Sequence, residues 1–117
     1  MNKHEQYFNY SFLSKEDINL FDEKGFLVIK KILTPSGLTQ MREECMKAWN
    51  AQKQAFDPSK SWLQNSLLVN IHHQSSVARN YYFEGPLVDI ASQIIGPNIK
   101  GATSQLTFKM RGNTKPF

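Results

Sequence analysis

The stretch that decides the fold reads FDEKGFLVIKKILTPSGLTQMREE and spans residues 21–44. In its middle, residues 26–33 are a short apolar run rich in β-forming side chains, which predicts a strand. Gly25, just before this run, is a typical helix-ending residue, and Thr34 followed by Pro35 is a typical helix start. The stretch therefore predicts the end of one helix, a strand, and the start of a second helix.

Both predicted helices extend outward from this stretch. Ser14, with Asp17 three residues later, is a variant of the capping box and predicts the start of the first helix. In the second helix, apolar residues recur at helical spacing, which predicts an amphipathic helix of about five turns. These residues are Leu38, Met41, Cys45, Ala48 and Trp49.

The second half of the chain predicts one more helix and one more strand. Residues 85–96, GPLVDIASQIIG, predict a helix bounded by Gly-Pro pairs, and residues 99–112, IKGATSQLTFKMRG, predict a strand. Between the two long helices, residues 62–76 suggest an extended segment with a loop, and residues 76–83, SVARNYYF, suggest a short helical turn.

Composition is that of an ordinary globular chain. The 117 residues are 40% hydrophobic and 21% charged, enough for one domain with a modest core. No window approaches 18 apolar residues and the start lacks an apolar signal core, so we expect neither a transmembrane helix nor a secretory signal. A single cysteine, Cys45, excludes an internal disulfide and fits a cytoplasmic location. No acidic residue follows Asp89, so the net charge of +4 lies in the C-terminal quarter, where it suits an anionic ligand, nucleic acid, or a segment cut away from acidic neighbours.

Most motifs that carry chemistry are missing from the sequence. The histidines are His4, His72 and His73, and no C-x-x-C, H-E-x-x-H, H-x-D, G-x-S-x-G or glycine-rich phosphate loop occurs. On a strand, the adjacent His72 and His73 would point to opposite faces and could not chelate one ion. Cys45 lies on the apolar stripe of the second helix, so we expect a core residue rather than a nucleophile. The sequence predicts no self-contained metal or nucleophilic site.

The last predicted strand carries the best candidate for a binding site. Side-chain alternation places polar residues on one face and apolar residues on the other. The polar residues are Gln105, Thr107 and Lys109, and the apolar residues are Leu106, Phe108 and Met110. We expect the apolar face to pack against the helices. The polar face is either a solvent-exposed face or, inside a barrel mouth, a carboxylate site with Lys109 as the charge and Gln105 as a neutral donor.

The stretch at residues 21–44 resembles the N-terminal helix, strand and helix of phytanoyl-CoA dioxygenase-like proteins, which are iron(II)- and 2-oxoglutarate-dependent oxygenases. Residues 85–99, GPLVDIASQIIGPNI, resemble the family's helix that ends in Gly-Pro. Residues 104–117, SQLTFKMRGNTKPF, resemble the strand and loop ahead of its H-x-D motif. The resemblance covers residues 13–117, nearly the whole chain.

The resemblance implies an α+β fold, in which an N-terminal helical layer joins the first strands of a double-stranded β-helix of jelly-roll or cupin type, incomplete in this chain. Residues 1–13 would be an irregular arm, and residues 14–117 the N-terminal part of a single oxygenase domain. Lys109 would match the lysine that binds 2-oxoglutarate in many members. Gln105 would match a position that contacts the same cosubstrate in related hydroxylases, and Thr107 would line the pocket.

The resemblance also implies where this chain falls short. The family holds its iron by two histidines and a carboxylate, and the H-x-D pair and the 2-oxoglutarate-binding arginine are expected beyond Phe117. We therefore expect the intact protein to use Fe(II) and 2-oxoglutarate to oxidise a small organic substrate, giving succinate and carbon dioxide. The 117-residue chain alone is expected to be inactive and to bind neither Fe(II) nor 2-oxoglutarate tightly.

Two other functions remain open from the sequence. The chain could be a non-catalytic binding or assembly module that kept the helical layer of such a fold. A nucleic-acid binder using the basic end is a weaker alternative, because aromatic and basic residues are interleaved only around ARNYYF, residues 78–83. We expect a small-molecule substrate and 2-oxoglutarate as partners, with neither nucleic acid nor membrane.

Overall fold

The computed structural model describes residues 6–115 as mainly helical, with one small sheet. The helices are α1 (Lys15–Lys24), α2 (Pro35–Lys53), α3 (Trp62–Ser66), α4 (Ser76–Phe83) and α5 (Pro86–Ile95). The strands are β1 (Leu67–Val69) and β2 (Gln105–Thr107), and a 3₁₀ turn spans Ile71–His73. The long helices predicted from the sequence are confirmed, and residues 76–83 form a helix of eight residues rather than a single turn.

The ends of the first two helices follow local signals in the sequence. The backbone N–H of Asp17 donates to Ser14 Oγ, and the backbone N–H of Ser14 donates to the Asp17 carboxylate, so the capping box is present. These hydrogen bonds lower the pKa of Asp17. Gly25 has φ 77° and ends α1 in the left-handed conformation that glycine tolerates best. Thr34 Oγ1 accepts from the N–H of Gly37 at 3.0 Å and caps α2.

The strand predicted at residues 26–33 is wrong. Within the described chain only Leu33 of this segment forms a bridge, to Phe8 of the arm. The remainder is irregular, with Val28 69% exposed. Lys31 has φ 60°, a left-handed value that interrupts the extended backbone. β-forming side chains produce a strand only where a neighbouring strand can pair with them, and most of this segment has none.

The sheet consists of two short strands that come from distant parts of the chain. β1 and β2 run antiparallel, and their partners are Leu67 with Thr107, Leu68 with Leu106, and Val69 with Gln105. β2 is therefore much shorter than the strand predicted at residues 99–112. Backbone hydrogen bonds from Asn70 to Ser104 (2.7 Å) and from Phe108 to Ser66 (3.0 Å) extend the pairing by one residue at each end.

Residues 6–13 are an irregular arm that is tied to the chain just before α2. Phe8 is 5% exposed, and its ring centroid lies 5.6 Å from that of Tyr81. The N–H of Asn9 donates to the carbonyl of Ile32 at 2.8 Å, and the N–H of Thr34 donates to the carbonyl of Tyr7 at 3.0 Å. The arm thus contacts both α4 and the segment before α2, so it is a structural part of the fold.

The buried core is small for a chain of this length. Its buried apolar residues are Phe8, Ile32, Leu68, Ala78 and Ile90. The accessible surface is 8752 Å², whereas a compact monomer of 13.5 kDa exposes roughly 6,500 Å². On the stripe predicted for α2, Leu38 is still 41% exposed. Among residues 6–115 no helix combines the length and hydrophobicity needed to cross a membrane.

Candidate cosubstrate face and histidine cluster

One face of the small sheet is polar along β2 and apolar along β1. Directly opposed residues of an antiparallel pair share a face, so Gln105 and Thr107 lie beside Val69 and Leu67. Gln105 and Val69 are exposed, and Thr107 and Leu67 are half-buried. We call these four residues the cosubstrate face, after the role that the family resemblance implies for Gln105 and Thr107. It offers an amide and a hydroxyl next to two branched aliphatic side chains.

The side chains on this face approach one another closely. The backbone bonds from Asn70 to Ser104 and from Phe108 to Ser66 mark hydrogen-bonded pairs just outside the strands. Pairs alternate along an antiparallel ladder, so Gln105 with Val69 falls at a non-hydrogen-bonded position, as does Thr107 with its partner. Side chains are closest at such positions. The four residues therefore form one continuous surface.

Lys109 lies two residues beyond the end of β2 and is exposed. The sequence placed it in line with Gln105 and Thr107. The structure brings Gln105 and Thr107 together, but the strand ends before Lys109, and the backbone pairing reaches only Phe108. The lysine is therefore adjacent to the cosubstrate face along the chain, but strand alternation does not set the direction of its side chain.

The opposite face of the sheet packs inward. Phe108 stacks on Trp49 of α2, with ring centroids 4.5 Å apart and an angle of 21°. Leu68 is buried and Leu106 is half-buried. The predicted packing of this apolar face against a helix is confirmed, except that Met110 at its end is 58% exposed. The stack holds β2 against α2 and leaves the cosubstrate face outward.

The described residues do not fit an iron site. Within residues 6–115 no group of three histidine, cysteine, aspartate or glutamate side chains is placed to hold a metal ion. Phe117 and His4 lie outside the described residues. His72 and His73 lie in a 3₁₀ turn rather than on a strand, and their rings touch edge to face with centroids 4.3 Å apart. The expectation that they point to opposite faces held for a strand and so does not apply to this turn, and we assign neither of them to iron.

His72 is the buried centre of a cluster that the sequence did not reveal. The histidine is 8% exposed, and its Nδ1 lies 2.6 Å from Ser104 Oγ. Its ring stacks on Tyr82 at 4.8 Å and meets the edge of Phe83 at 5.4 Å. The Tyr82 hydroxyl donates to the carbonyl of Thr103 at 2.8 Å. We call these five residues the histidine cluster; it ties α4 to the segment before β2.

A left-handed turn at Asn70 places His72 in this cluster. Asn70 has φ 56°, a conformation that asparagine adopts more readily than most residues. Its backbone N–H donates to the carbonyl of Ser104, and its side-chain oxygen accepts from Thr103 Oγ1 at 3.3 Å. The contact between His72 and Ser104 spans 32 residues, so no local pattern in the sequence could have indicated it.

Electrostatics favour a neutral imidazole at His72. Burial lowers the pKa of His72, and the electrostatic effect of the neighbouring His73 and Arg79 lowers it further. A neutral imidazole has one donor and one acceptor nitrogen, so either orientation of the proton suits the Ser104 hydroxyl. The histidine cluster therefore acts as a fixed support at the start of β2.

Cys45 is the thiol on α2 and lies beside Glu44 in the chain. Burial raises the pKa of the half-buried Cys45 thiol, and the charge of Glu44 raises it further, so the thiol stays protonated. Glu44 accepts a hydrogen bond of 2.5 Å from Ser75 Oγ, and Ser75 also caps α4 by accepting from the N–H of Ala78. The hydrogen bond between Glu44 and Ser75 therefore connects α2 to α4.

Comparisons of this chain with protein-family models, with curated proteins and with solved structures find no match. The resemblance to phytanoyl-CoA dioxygenase-like proteins therefore stays a hypothesis that comes from the sequence.

Proposed function

We propose that this chain is the N-terminal portion of the catalytic domain of an iron(II)- and 2-oxoglutarate-dependent oxygenase, and that β2 contributes to cosubstrate binding. The observation that supports this is the pairing of Gln105 and Thr107 with Val69 and Leu67 on one face. 2-Oxoglutarate carries a carboxylate at each end of a short carbon chain. A surface with hydrogen-bond donors beside aliphatic groups suits such a ligand.

Each polar residue has a distinct role in the proposal. The Gln105 amide and the Thr107 hydroxyl donate neutral hydrogen bonds to a carboxylate oxygen. The Lys109 ammonium supplies the charge, as a point donor rather than a planar fork. In the intact enzyme iron would activate oxygen. Gln105, Thr107 and Lys109 bind and orient the cosubstrate, and none of these three residues holds the metal.

The fold proposed with this function is an incomplete double-stranded β-helix with an N-terminal helical layer. The stack between Trp49 and Phe108 supports it, because it places α2 behind β2, on the side away from the cosubstrate face. The domain would span residues 14–117, preceded by the irregular arm. We propose a cytoplasmic location, which suits a chain with one free cysteine.

The test measures 2-oxoglutarate turnover by the protein expressed from its complete natural reading frame. Lys109→Ala should raise the KM for 2-oxoglutarate roughly ten- to a hundredfold, because a hydrogen bond to a charged group contributes about 1.5–3 kcal/mol. Gln105→Ala should have a smaller effect in the same direction. Lys30→Ala, a matched loss of one exposed lysine away from both strands, should leave the KM unchanged.

Equal KM values in the Lys109 and Lys30 variants would contradict the assignment of Lys109. If the protein consumes no 2-oxoglutarate yet unfolds in one cooperative transition, the oxygenase proposal fails and the non-catalytic module is favoured instead.

A further inference from the structure

A cavity of about 470 Å³ lies between α4, α5 and residues 99–102. We call it the aromatic groove. Its walls include Tyr81, Phe83, Leu87, Ala91, Ile99 and Lys100. None of the residues of the cosubstrate face lines it. Cavities that hold small molecules measure roughly 300–1,000 Å³ and are lined mainly by apolar and aromatic side chains with a few polar groups. The groove has the size and lining of such a site.

The walls of the groove are held in place by contacts outside it. Tyr82, on one side, is stacked on His72 and hydrogen-bonded to the carbonyl of Thr103. Gly101 lies directly against this ring, since a Cβ there would come within 2.8 Å of it. α5, on the other side, starts at Pro86, which is fully buried. The groove is therefore preformed, which reduces the entropy lost when a ligand binds.

The charge in the lining of the groove is positive. Among the described residues Lys100 is the only charged side chain in its lining, and it is exposed at the rim. No ion pair of Lys100 occurs within residues 6–115. Burial raises the pKa of Tyr81, so its hydroxyl remains a neutral donor. A ligand that fits these groups has an apolar, flat body and one negative charge.

We propose that the aromatic groove binds a planar aromatic carboxylate. Its ring system would contact Phe83, Leu87 and Ala91, and its carboxylate would pair with Lys100. Aromatic rings gain from edge and offset contacts with other rings beyond the area they bury, which favours an aromatic body over an aliphatic one of the same size. This site is separate from the cosubstrate face, and its occupancy does not depend on the proposed oxygenase activity.

The probe is indole-3-acetate, added to the full 117-residue chain and followed by ligand-observed NMR and calorimetric titration. Its primary amide, which has the same shape without the charge, serves as the comparison ligand. The acid should bind about two- to fivefold more tightly than the amide, which is the range expected for an ion pair with an exposed lysine. Added 2-oxoglutarate should not displace it.

Two variants locate the site. Lys100→Gln should remove most of the preference for the acid, whereas Lys115→Gln, an exposed lysine outside the groove, should keep it. Ala91→Phe fills the groove and should abolish binding of both ligands, provided circular dichroism shows that the helices are intact. No detectable binding of indole-3-acetate would overturn the proposal. Binding of indole-3-acetate to the Lys100 and Ala91 variants that is as strong as binding to the natural protein would overturn it as well.

Discussion

Gly37 lies in the first turn of α2, directly beneath the N-terminal arm. The position is buried, and a Cβ added there would overlap the backbone carbonyl of Tyr7. That carbonyl accepts from the N–H of Thr34 at 3.0 Å, so it is fixed to the start of the same helix. Gly37→Ala should therefore push the arm away, although alanine is the better helix former.

The cost of this displacement can be worked out from the contacts of the arm. Exposing Phe8, now 5% exposed, loses about 1.5–3 kcal/mol of burial. The backbone hydrogen bonds of Tyr7 and Asn9 each contribute about 0.5–1.5 kcal/mol. Helix propensity returns about 1 kcal/mol in favour of alanine. Gly37→Ala is thus expected to lower the free energy of unfolding by about 1.5–5 kcal/mol.

Urea unfolding followed by circular dichroism measures this change, with Ser36→Ala as the control at the neighbouring exposed position. The control should stay within about 0.5 kcal/mol of the natural protein. Phe8→Ala removes the same anchor, so the double variant should cost much less than the two single changes added together. A rise in stability for Gly37→Ala, or additive costs in the double variant, would refute the assigned packing of the arm.

Three other changes test the rest of the structure. The pKa of His72 is lower in the folded than in the unfolded protein, so stability should fall as the pH drops below about 6.5. His72→Gln should flatten this dependence of stability on pH in acid-titrated thermal melts. A pH profile parallel to that of the natural protein would contradict the lowered pKa of His72. Ser75→Ala removes both the cap of α4 and the hydrogen bond to Glu44, and should cost about 2 kcal/mol in urea unfolding. Ser76→Ala, at the exposed neighbouring position, should cost little. Equal effects of the two changes would contradict the hydrogen bond that joins α2 to α4. Phe108→Ala should cost about 2 kcal/mol and, with Trp62 replaced by phenylalanine so that Trp49 alone emits, should shift the emission to longer wavelength; an unchanged emission spectrum would show that the two rings do not stack.

The features predicted correctly from the sequence are those set by near neighbours. Ser14 with Asp17 and Thr34 with Pro35 carry their own hydrogen bonds or backbone restrictions, so the starts of α1 and α2 could be read directly. Gly25 ends α1 for the same local reason. The inward packing of Phe108 also followed, since alternation along an extended segment is a local property.

The features that were missed depend on distant partners. Residues 26–33 have the composition of a strand, but pairing is a property of two segments, and only Leu33 meets one. β1 is only Leu67–Val69, and its partner β2 lies about 40 residues further on, so neither its limits nor its register had a local signal. The His72–Ser104 contact is of the same kind. The direction of Lys109 could not be read either, because β2 ends at Thr107.

The measurement that tests the proposed function most directly is the release of carbon dioxide from labelled 2-oxoglutarate by the protein expressed from its complete reading frame. The account predicts release that requires both Fe(II) and oxygen, yields succinate in equal amount, and needs a higher 2-oxoglutarate concentration when Lys109 is replaced by alanine. Release that is no greater than without protein, at saturating Fe(II) and 2-oxoglutarate, would contradict it.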